Sequence, residues 1–155
     1  MTLLGNSCPI INGNKDHIRN INSDKDMKQI KPYIMYSGRC KEALLFYREC
    51  FNGEIVLMQT YAESNMNLPE KYNERIFNSE FKADGIDFMA SDDLPDNQVK
   101  TGSNFALFVI FENINEQKES FNKLAKDGNV LFPLENNFGM VVDKFGIQWM
   151  LTGKK

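Results

Sequence analysis

The sequence predicts an α+β fold built from two successive βαβββ modules, joined by a linker at Asp92–Gly102. The first observation behind this prediction is the order of the elements, because strand-like and helix-like patterns follow one another as β-α-β-β-β twice. The second is a constant offset between the halves: Phe46 and Phe121 are 121 − 46 = 75 positions apart, and so are Gly53 and Gly128 (128 − 53 = 75). Unrelated halves would rarely keep both landmarks, so we interpret the chain as an internal duplication.

Each module contains one predicted amphipathic helix. Residues Cys40–Phe51 place apolar side chains on one face at helical spacing, and Gly53 ends this helix, as glycine just past a helix commonly does. The second helix begins at Asn113, with Glu116 in a capping arrangement, and ends at Gly128. The predicted buried stripes are Ala43, Phe46, Tyr47, Cys50 and Phe51 in the first helix and Ile114, Gln117, Phe121, Leu124 and Ala125 in the second.

Eight segments are predicted as strands from their residue types and bounding turns. Asp84-Gly85 is a hairpin signal between two of them. Gly85 matches Gly146 at an offset of 146 − 85 = 61, and the difference, 75 − 61 = 14, is close to the length of the polar segment Ala62–Glu74. That segment is predicted as a loop, which is either a lid over a binding site or disordered. The predicted strands are Ile30–Tyr36, Glu54–Tyr61, Arg75–Ala83, Ile86–Ser91, Phe105–Phe111, Val130–Phe132, Phe138–Val142 and Ile147–Thr152.

The modules at residues 29–92 and 103–153 are predicted to form a single domain over residues 29–153. Each helix can cover only one face of its small sheet, so the other face needs a partner. We expect the two open faces to lie side by side in a paired, curved mixed sheet, around a shared concave surface. Such a concave surface is the default site for a small ligand.

The charge and hydropathy of the chain exclude several classes of partner. There are 18 Lys+Arg and 21 Asp+Glu residues, a formal charge of −3, so the basic excess typical of nucleic-acid binders is missing. No apolar run approaches the ~20 residues that a membrane-spanning helix requires, and no Lys/Arg cluster marks a membrane surface. We therefore expect neither a nucleic-acid partner nor a membrane partner.

Residues 1–28 are predicted to form an N-terminal extension, disordered or lying along the domain, because they are rich in Asn and Asp and show no periodicity. The one histidine of the chain, His17, lies there, which leaves the predicted domain without a histidine for a catalytic triad or a His-rich metal centre. The three cysteines, Cys8, Cys40 and Cys50, follow no zinc-like spacing. We interpret them as reduced thiols of a cytoplasmic protein.

Two segments resemble a known family. Pro32–Tyr36 with Gly38 and Glu42–Tyr47, and the closing segment Phe138–Met150, resemble PhnB-like proteins of the vicinal oxygen chelate superfamily, which includes glyoxalase I, extradiol dioxygenases and bleomycin-resistance proteins. The resemblance covers Ile30 to Thr152 and implies a glyoxalase-like fold of paired βαβββ modules, often assembled as a homodimer. Many PhnB-like sequences carry the label of a demethylubiquinone methyltransferase, but the chain has no glycine-rich cofactor loop after a strand to support that activity.

The resemblance also implies where a divalent metal would be held. Enzymes of this superfamily take metal ligands, usually His and Glu, from the first and last strands of each module. None of the corresponding residues is His, Asp or Glu, and a thioether is a poor ligand for the harder first-row ions. We therefore predict that the metal site is absent and that no cofactor is bound. The corresponding positions are Pro32 or Lys31, Leu107 or Ala106, Met89, and Met150.

If these positions face the concave surface, period-two alternation along each strand gives the neighbours that would line a ligand pocket. The result is an apolar cup with a few polar groups, which suits a small, partly apolar ligand. Tyr36 is either a hydrogen-bonding pocket residue or a core residue, and Trp149 points the other way, toward the helices. The predicted ligand-binding residues are Ile34, Tyr36, Met89, Ser91, Leu107, Val109, Gln148, Met150 and Thr152.

Two functions from different classes remain after these exclusions. The first is a non-catalytic protein that sequesters a small apolar or aromatic compound, as the resistance-type relatives do, and the absent metal ligands favour it. The second is a metal-independent lyase, isomerase or transferase acting on a small molecule in the same cup. Asp87 and Glu80 are its candidate catalytic residues, since a carboxylate with a pKa raised by burial could act as a general base. The alternative for Asp87 is a simply solvated side chain beside a turn.

Overall fold

The computed structural model describes residues 28–94, 97 and 99–154. Within this part of the chain, the residues from Lys31 onward form one compact unit. The prediction of an N-terminal extension with His17 and Cys8 lies outside the described residues except for its last residue. Neither helix of the described residues is long and apolar enough to cross a membrane.

The unit Lys31–Lys155 contains two modules with the same order of elements. The first module consists of β1 (Tyr33–Tyr36), α1 (Cys40–Phe51), β2 (Glu54–Thr60), β3 (Ile76–Ala83) and β4 (Ile86–Asp92). The second consists of β5 (Leu107–Phe111), α2 (Ile114–Ala125), β6 (Asn129–Glu135), β7 (Phe138–Val142) and β8 (Gln148–Gly153). The predicted α+β class and the doubled βαβββ order are therefore confirmed.

Each module forms its own four-stranded mixed sheet. The strand orders are β1-β4-β3-β2 and β5-β8-β7-β6, so the two sheets have the same topology. In each sheet the first strand runs parallel to the fourth, and the other neighbours are antiparallel. The parallel pairing follows from the crossover through the helix and the hairpin strands. It leaves β1 and β5 at equivalent edges of their sheets.

Side chains accept hydrogen bonds from free backbone N–H groups at the start of both helices. At α2, the Asn113 side chain caps the helix by accepting a hydrogen bond from Asn115 N at 2.9 Å, as the sequence predicts. At α1, the buried Asp92 carboxylate accepts one from Cys40 N at 3.0 Å and another from Ile76 N at 2.9 Å. Asp92 is 52 residues from Cys40 in the sequence, so this cap also connects α1 to β3 and β4.

The two landmark glycines end their helices for a different reason from the one predicted. The left-handed conformation is taken by the preceding residues, Asn52 (φ 50°) and Asp127 (φ 59°). A Cβ on Gly53 would lie 2.6 Å from Lys82 O, and one on Gly128 would lie 2.5 Å from Val142 O. Both glycines are therefore required where the chain leaves the helix and passes close to the sheet.

The helices pack against each other as well as against their own sheets, so one core spans both modules. Trp149, predicted to point toward the helices, is fully buried, and its ring centroid lies 5.3 Å from that of Tyr47 on α1. Ser120 on α2 donates a hydrogen bond to Cys50 O on α1 at 2.8 Å. Ile114 departs from its predicted stripe and is 41% exposed, because it begins α2 at the surface.

Candidate ligand-binding site

The face of each sheet that is turned away from the helices is called its open face. On β1, Ile34 and Tyr36 are buried in the core at 8% and 5% exposure, whereas Tyr33 and Met35 are 51% and 48% exposed. The prediction that Ile34 and Tyr36 face the concave surface is therefore wrong, because the alternation of this strand is shifted by one residue. Ile34 and Tyr36 face the core, and Tyr33 and Met35 belong to the open face of the first sheet.

The same correction applies to β5. Leu107 and Val109 pack against the core, and Phe108 and Ile110 are 55% and 61% exposed on the open face. Both strands carry apolar residues at every position, so the sequence contains no polar alternation to fix their phase. The expectation for both strands depended on an alignment that was uncertain by one residue.

The last strands of the two modules have the expected orientation. On β4, Phe88 and Ala90 belong to the core, which turns Met89 and Ser91 to the open face. On β8, the buried Trp149 and Leu151 alternate with three residues on the open face of the second sheet. Those three residues are Gln148, Met150 and Thr152.

The positions implied for a divalent metal do not fit one. Lys31 lies on the open side, since its ammonium reaches Asp87, and alternation places Ala106 rather than Leu107 on that side. With Met89 and Met150, these positions offer an ammonium, a methyl group and two thioethers, which is not a donor set that first-row ions use. The described residues contain no cluster of three or more His, Cys, Asp or Glu side chains that could hold a metal ion.

The two candidate catalytic carboxylates lie together on the open face of the first sheet, on either side of a lysine. Lys31 Nζ is 2.6 Å from Glu80 Oε1 and 2.9 Å from Asp87 Oδ2, and Lys82 Nζ is 3.2 Å from the same Glu80 oxygen. The hydrogen bonds from Lys31 and Lys82 lower the pKa of Glu80, and those to Glu80 and Asp87 raise the pKa of Lys31. Lys31 and Glu80 are therefore held charged at neutral pH. Asp87 Oδ1 has no hydrogen-bond partner among the described residues.

A groove of about 440 Å³ lies between β1, residues 99–105 and the start of β8. Of the predicted ligand-binding residues, Gln148 borders it, and so do Ile34 and Tyr36 despite their core orientation. Glu80 and Asp87 do not line it, and neither does the predicted lid at Ala62–Glu74. The apolar and aromatic residues of its walls include Tyr33, Met35, Phe105, Phe145 and Ile147.

A larger open cleft of about 1400 Å³ lies between the end of α1, the β3–β4 hairpin, β5 and α2. Six carboxylates and three basic side chains line it, so its charge is mostly negative. The acidic residues are Glu49, Glu54, Asp84, Glu112, Glu116 and Glu119, and the basic residues are Arg48, Lys82 and Lys123. We take the smaller groove as the candidate ligand site, because its apolar walls and size suit a small molecule.

A buried carboxylate holds the β7–β8 turn that forms one wall of the groove. Asp143 Oδ1 accepts hydrogen bonds from Phe145 N at 2.8 Å and Ile147 N at 3.0 Å. Its Oδ2 accepts from Tyr47 Oη at 2.7 Å and from Trp149 Nε1 at 2.8 Å. Asp143 thus connects the groove wall to α1 of the other module.

The hydroxyl groups of two tyrosines connect this carboxylate to the groove. Tyr36 Oη donates to Tyr47 Oη at 3.2 Å, and burial raises the pKa of both phenols. Both tyrosines therefore remain protonated donors at neutral pH. Tyr36 is therefore a hydrogen-bonded core residue that also borders the groove.

Sequence reasoning missed the groove residues Tyr33 and Met35 because it assigned them to the wrong face of β1, and it missed others because no motif marks them. Arg39 and Lys100 carry no motif, and Phe105 was treated as part of a strand that in fact begins at Leu107. Asp143 did have a signal, since it precedes Gly146 (φ 86°) in a four-residue turn. An acidic residue at the start of such a turn commonly accepts hydrogen bonds from the following backbone.

Comparisons with known proteins now place the chain in a family. Residues 28–152 match the family described as 3-demethylubiquinone-9 3-methyltransferase. The PhnB protein from Bacillus cereus is 31% identical, with a TM-score of 0.68 over 82% of this chain and 100% of that one. Protein YjdN of Escherichia coli (strain K12) is 26% identical over 141 residues, which cover 79% of this chain and 93% of YjdN.

The chain therefore belongs to this PhnB-like family, as its opening and closing segments indicate. The fosfomycin resistance protein FosX from Listeria monocytogenes has the same fold, with a TM-score of 0.58 over 83% of this chain and 92% of FosX. At 9% sequence identity, that likeness shows the glyoxalase-like fold alone.

We expect Asp143→Asn to lower the free energy of unfolding by about 3 kcal/mol, because an amide replaces a buried carboxylate that accepts four hydrogen bonds. Urea unfolding measures the change. The matched control is Glu112→Gln, whose carboxylate pairs with Lys154 at the surface, where we expect a change of less than about 1 kcal/mol. Equal effects of the two substitutions would contradict the role given to Asp143.

Proposed function

We propose that the protein is a PhnB-like binding protein that sequesters a small apolar or aromatic compound without using a metal. The observation that carries this proposal is the groove of about 440 Å³, with its walls of aromatic and apolar side chains. Its volume falls in the range of small-molecule sites, and polar groups of Ser37, Asn104 and Gln148 are available to orient a ligand.

The chemistry of the groove favours binding over catalysis. Its described lining contains no Asp, Glu, His or Cys side chain that could move a proton or form a covalent bond with a ligand. A general base works best with a pKa near the operating pH, yet the pKa of Glu80 is lowered by its lysine partners. Glu80 and Asp87 are also already engaged by Lys31.

A metal-independent enzyme is the second candidate, and one observation favours it. Asp87 lies beside Met89 on the open face of the first sheet, with an oxygen that has no hydrogen-bond partner among the described residues. A substrate donor could occupy that oxygen. The reaction would be of the lyase, isomerase or transferase type, which includes the methyl transfer in the family's description, with Asp87 as acid or base and Glu80 beside it.

Titration with 2-naphthol tests the proposed function. We expect calorimetry to show saturable binding, weakened about tenfold by Phe105→Ala, because the ring loses about 1.4 kcal/mol of apolar contact. Phe108→Ala is the matched control, since Phe108 is exposed outside the groove. The compound should be recovered unchanged by mass spectrometry. Absence of binding contradicts the proposal, whereas conversion that Asp87→Asn abolishes establishes the enzyme instead.

We expect the protein to retain no stoichiometric metal after exposure to Ni²⁺, Zn²⁺ or Mn²⁺ and dialysis, as measured by mass spectrometry of the elements. The reason is that the positions implied for metal ligands supply no suitable donors, and the nearby carboxylates of Glu80 and Asp87 are already paired with the Lys31 ammonium. Lys31→Ala is the comparison, because metal retained by this variant alone would be bound by the freed carboxylates. One tightly held equivalent per wild-type chain would overturn the metal-free proposal.

We further propose that the protein is a homodimer. The edge strands β1 and β5 expose large apolar side chains, including Met35 and Ile110 at 48% and 61%. Unpaired apolar edges are sites of association. Every copy contains both edges. In a two-fold symmetric dimer, β1 of one copy can therefore lie against β5 of its partner, and β5 against β1.

Light scattering at micromolar concentration should give twice the chain mass of 17.9 kDa. We expect Ile110→Lys to shift the protein toward the monomer, because a charge would be buried at the edge. Ile114→Lys on α2, which is 41% exposed away from both edges, should leave the mass unchanged. A wild-type monomer would contradict the dimer.

A cytoplasmic location is also part of the proposal. The described residues include two cysteines, Cys40 and Cys50, and both are free and buried. Burial raises the pKa of each thiol to about 12, so both remain protonated and unreactive at neutral pH. Free thiols are typical of a reducing compartment.

A further inference from the structure

The charge of the candidate groove differs from that of the rest of the molecule. Arg39 and Lys100 are the charged side chains of its described lining, and both are cationic. The chain as a whole has a formal charge of −3, and the larger cleft is lined by twice as many acidic as basic residues. The groove is therefore a positive site on a negative protein, and it attracts anions selectively.

Arg39 is held at the groove by contacts on several sides. Its guanidinium carbon lies 4.5 Å from the centre of the Phe145 ring, and its Nη1 donates to Lys144 O at 3.4 Å. Glu42 accepts from Nε at 3.0 Å and from Nη2 at 2.9 Å. Glu42 is also shared with Lys144 Nζ at 3.6 Å, so one surface carboxylate is shared by two cations.

Lys100 lies between two residues that are attached to the groove walls. Val99 N donates to Ser37 Oγ at 3.3 Å, at the end of β1. Thr101 packs so closely on the β7–β8 turn that a Cβ on Gly146 would lie 2.7 Å from its Cγ2. Lys100 itself has no ion-pair partner among the described residues. Its ammonium is thus available to a ligand.

We infer that the natural ligand of the groove is an organic anion, an apolar or aromatic body that carries one carboxylate or a similar acidic group. This inference rests on the proposed function and specifies its ligand class. The apolar body lies against Met35 and the aromatic rings of the walls. The acidic group pairs with the Lys100 ammonium and the Arg39 guanidinium, because charge-assisted hydrogen bonds are stronger than neutral ones.

The test compares 2-naphthoate with 2-naphthol, two probes that share the naphthalene ring system and differ in charge at pH 7. We expect calorimetry to show about tenfold tighter binding of 2-naphthoate, and Lys100→Gln to remove most of that preference while leaving the affinity for 2-naphthol unchanged. Arg39→Gln should reduce the preference as well. Lys41→Gln is the matched control, because it removes the same charge from an exposed site outside the groove and should keep the preference.

The outcomes separate this inference from the proposed function. If both probes bind equally well, or if the preference survives both Lys100→Gln and Arg39→Gln, the inference is wrong while the proposed function stands. If neither probe binds, the proposed function fails and the inference fails with it. A preference lost in the groove variants and kept in Lys41→Gln supports the anion site.

Discussion

The arrangement of the two modules depends on the carboxylate of Asp143. One of its oxygens organises the backbone of the β7–β8 turn, and the other accepts hydrogen bonds from Trp149 in the second module and Tyr47 in the first. A buried carboxylate is costly unless its oxygens are satisfied, so these four donors must be brought together when the chain folds. That requirement sets where α1 meets the second module. It also holds the β7–β8 turn in place, which forms one wall of the groove.

The duplicated fold carries two different open faces. On the first, Lys31, Asp87, Glu80 and Lys82 form a network of alternating charge. On the second, Met150 pairs with Met140, and Phe108 pairs with Met150. The backbone repeats because each module packs one helix against one four-stranded sheet. The open faces differ because the core does not constrain their side chains. Lys31 shows the consequence, since its ammonium lies between two carboxylates on the first face and the described residues of the second face form no such network.

The family's description and the chemistry of this chain point in different directions. Methyl transfer needs a donor cofactor or a reactive centre, and the groove presents apolar walls with two cations and no acidic lining among the described residues. Such a site is suited to holding an organic anion away from water. Asp87 Oδ1, which has no hydrogen-bond partner among the described residues, is the observation that supports an enzyme as the alternative.

The sequence by itself determined the order of the elements, the duplication and the bounds of α1 and β7, because these depend on local periodicity and on residues next to one another in the chain. It also predicted, through its resemblance to the family, that Met89 and Met150 lie on the open faces. It could not determine the phase of β1 and β5, because every position in these strands is apolar, and only packing against the helices selected Ile34 and Val109 as inner residues. The groove too was decided by tertiary structure alone, since it brings together β1, residues 99–105 and the β7–β8 turn, which no local pattern relates.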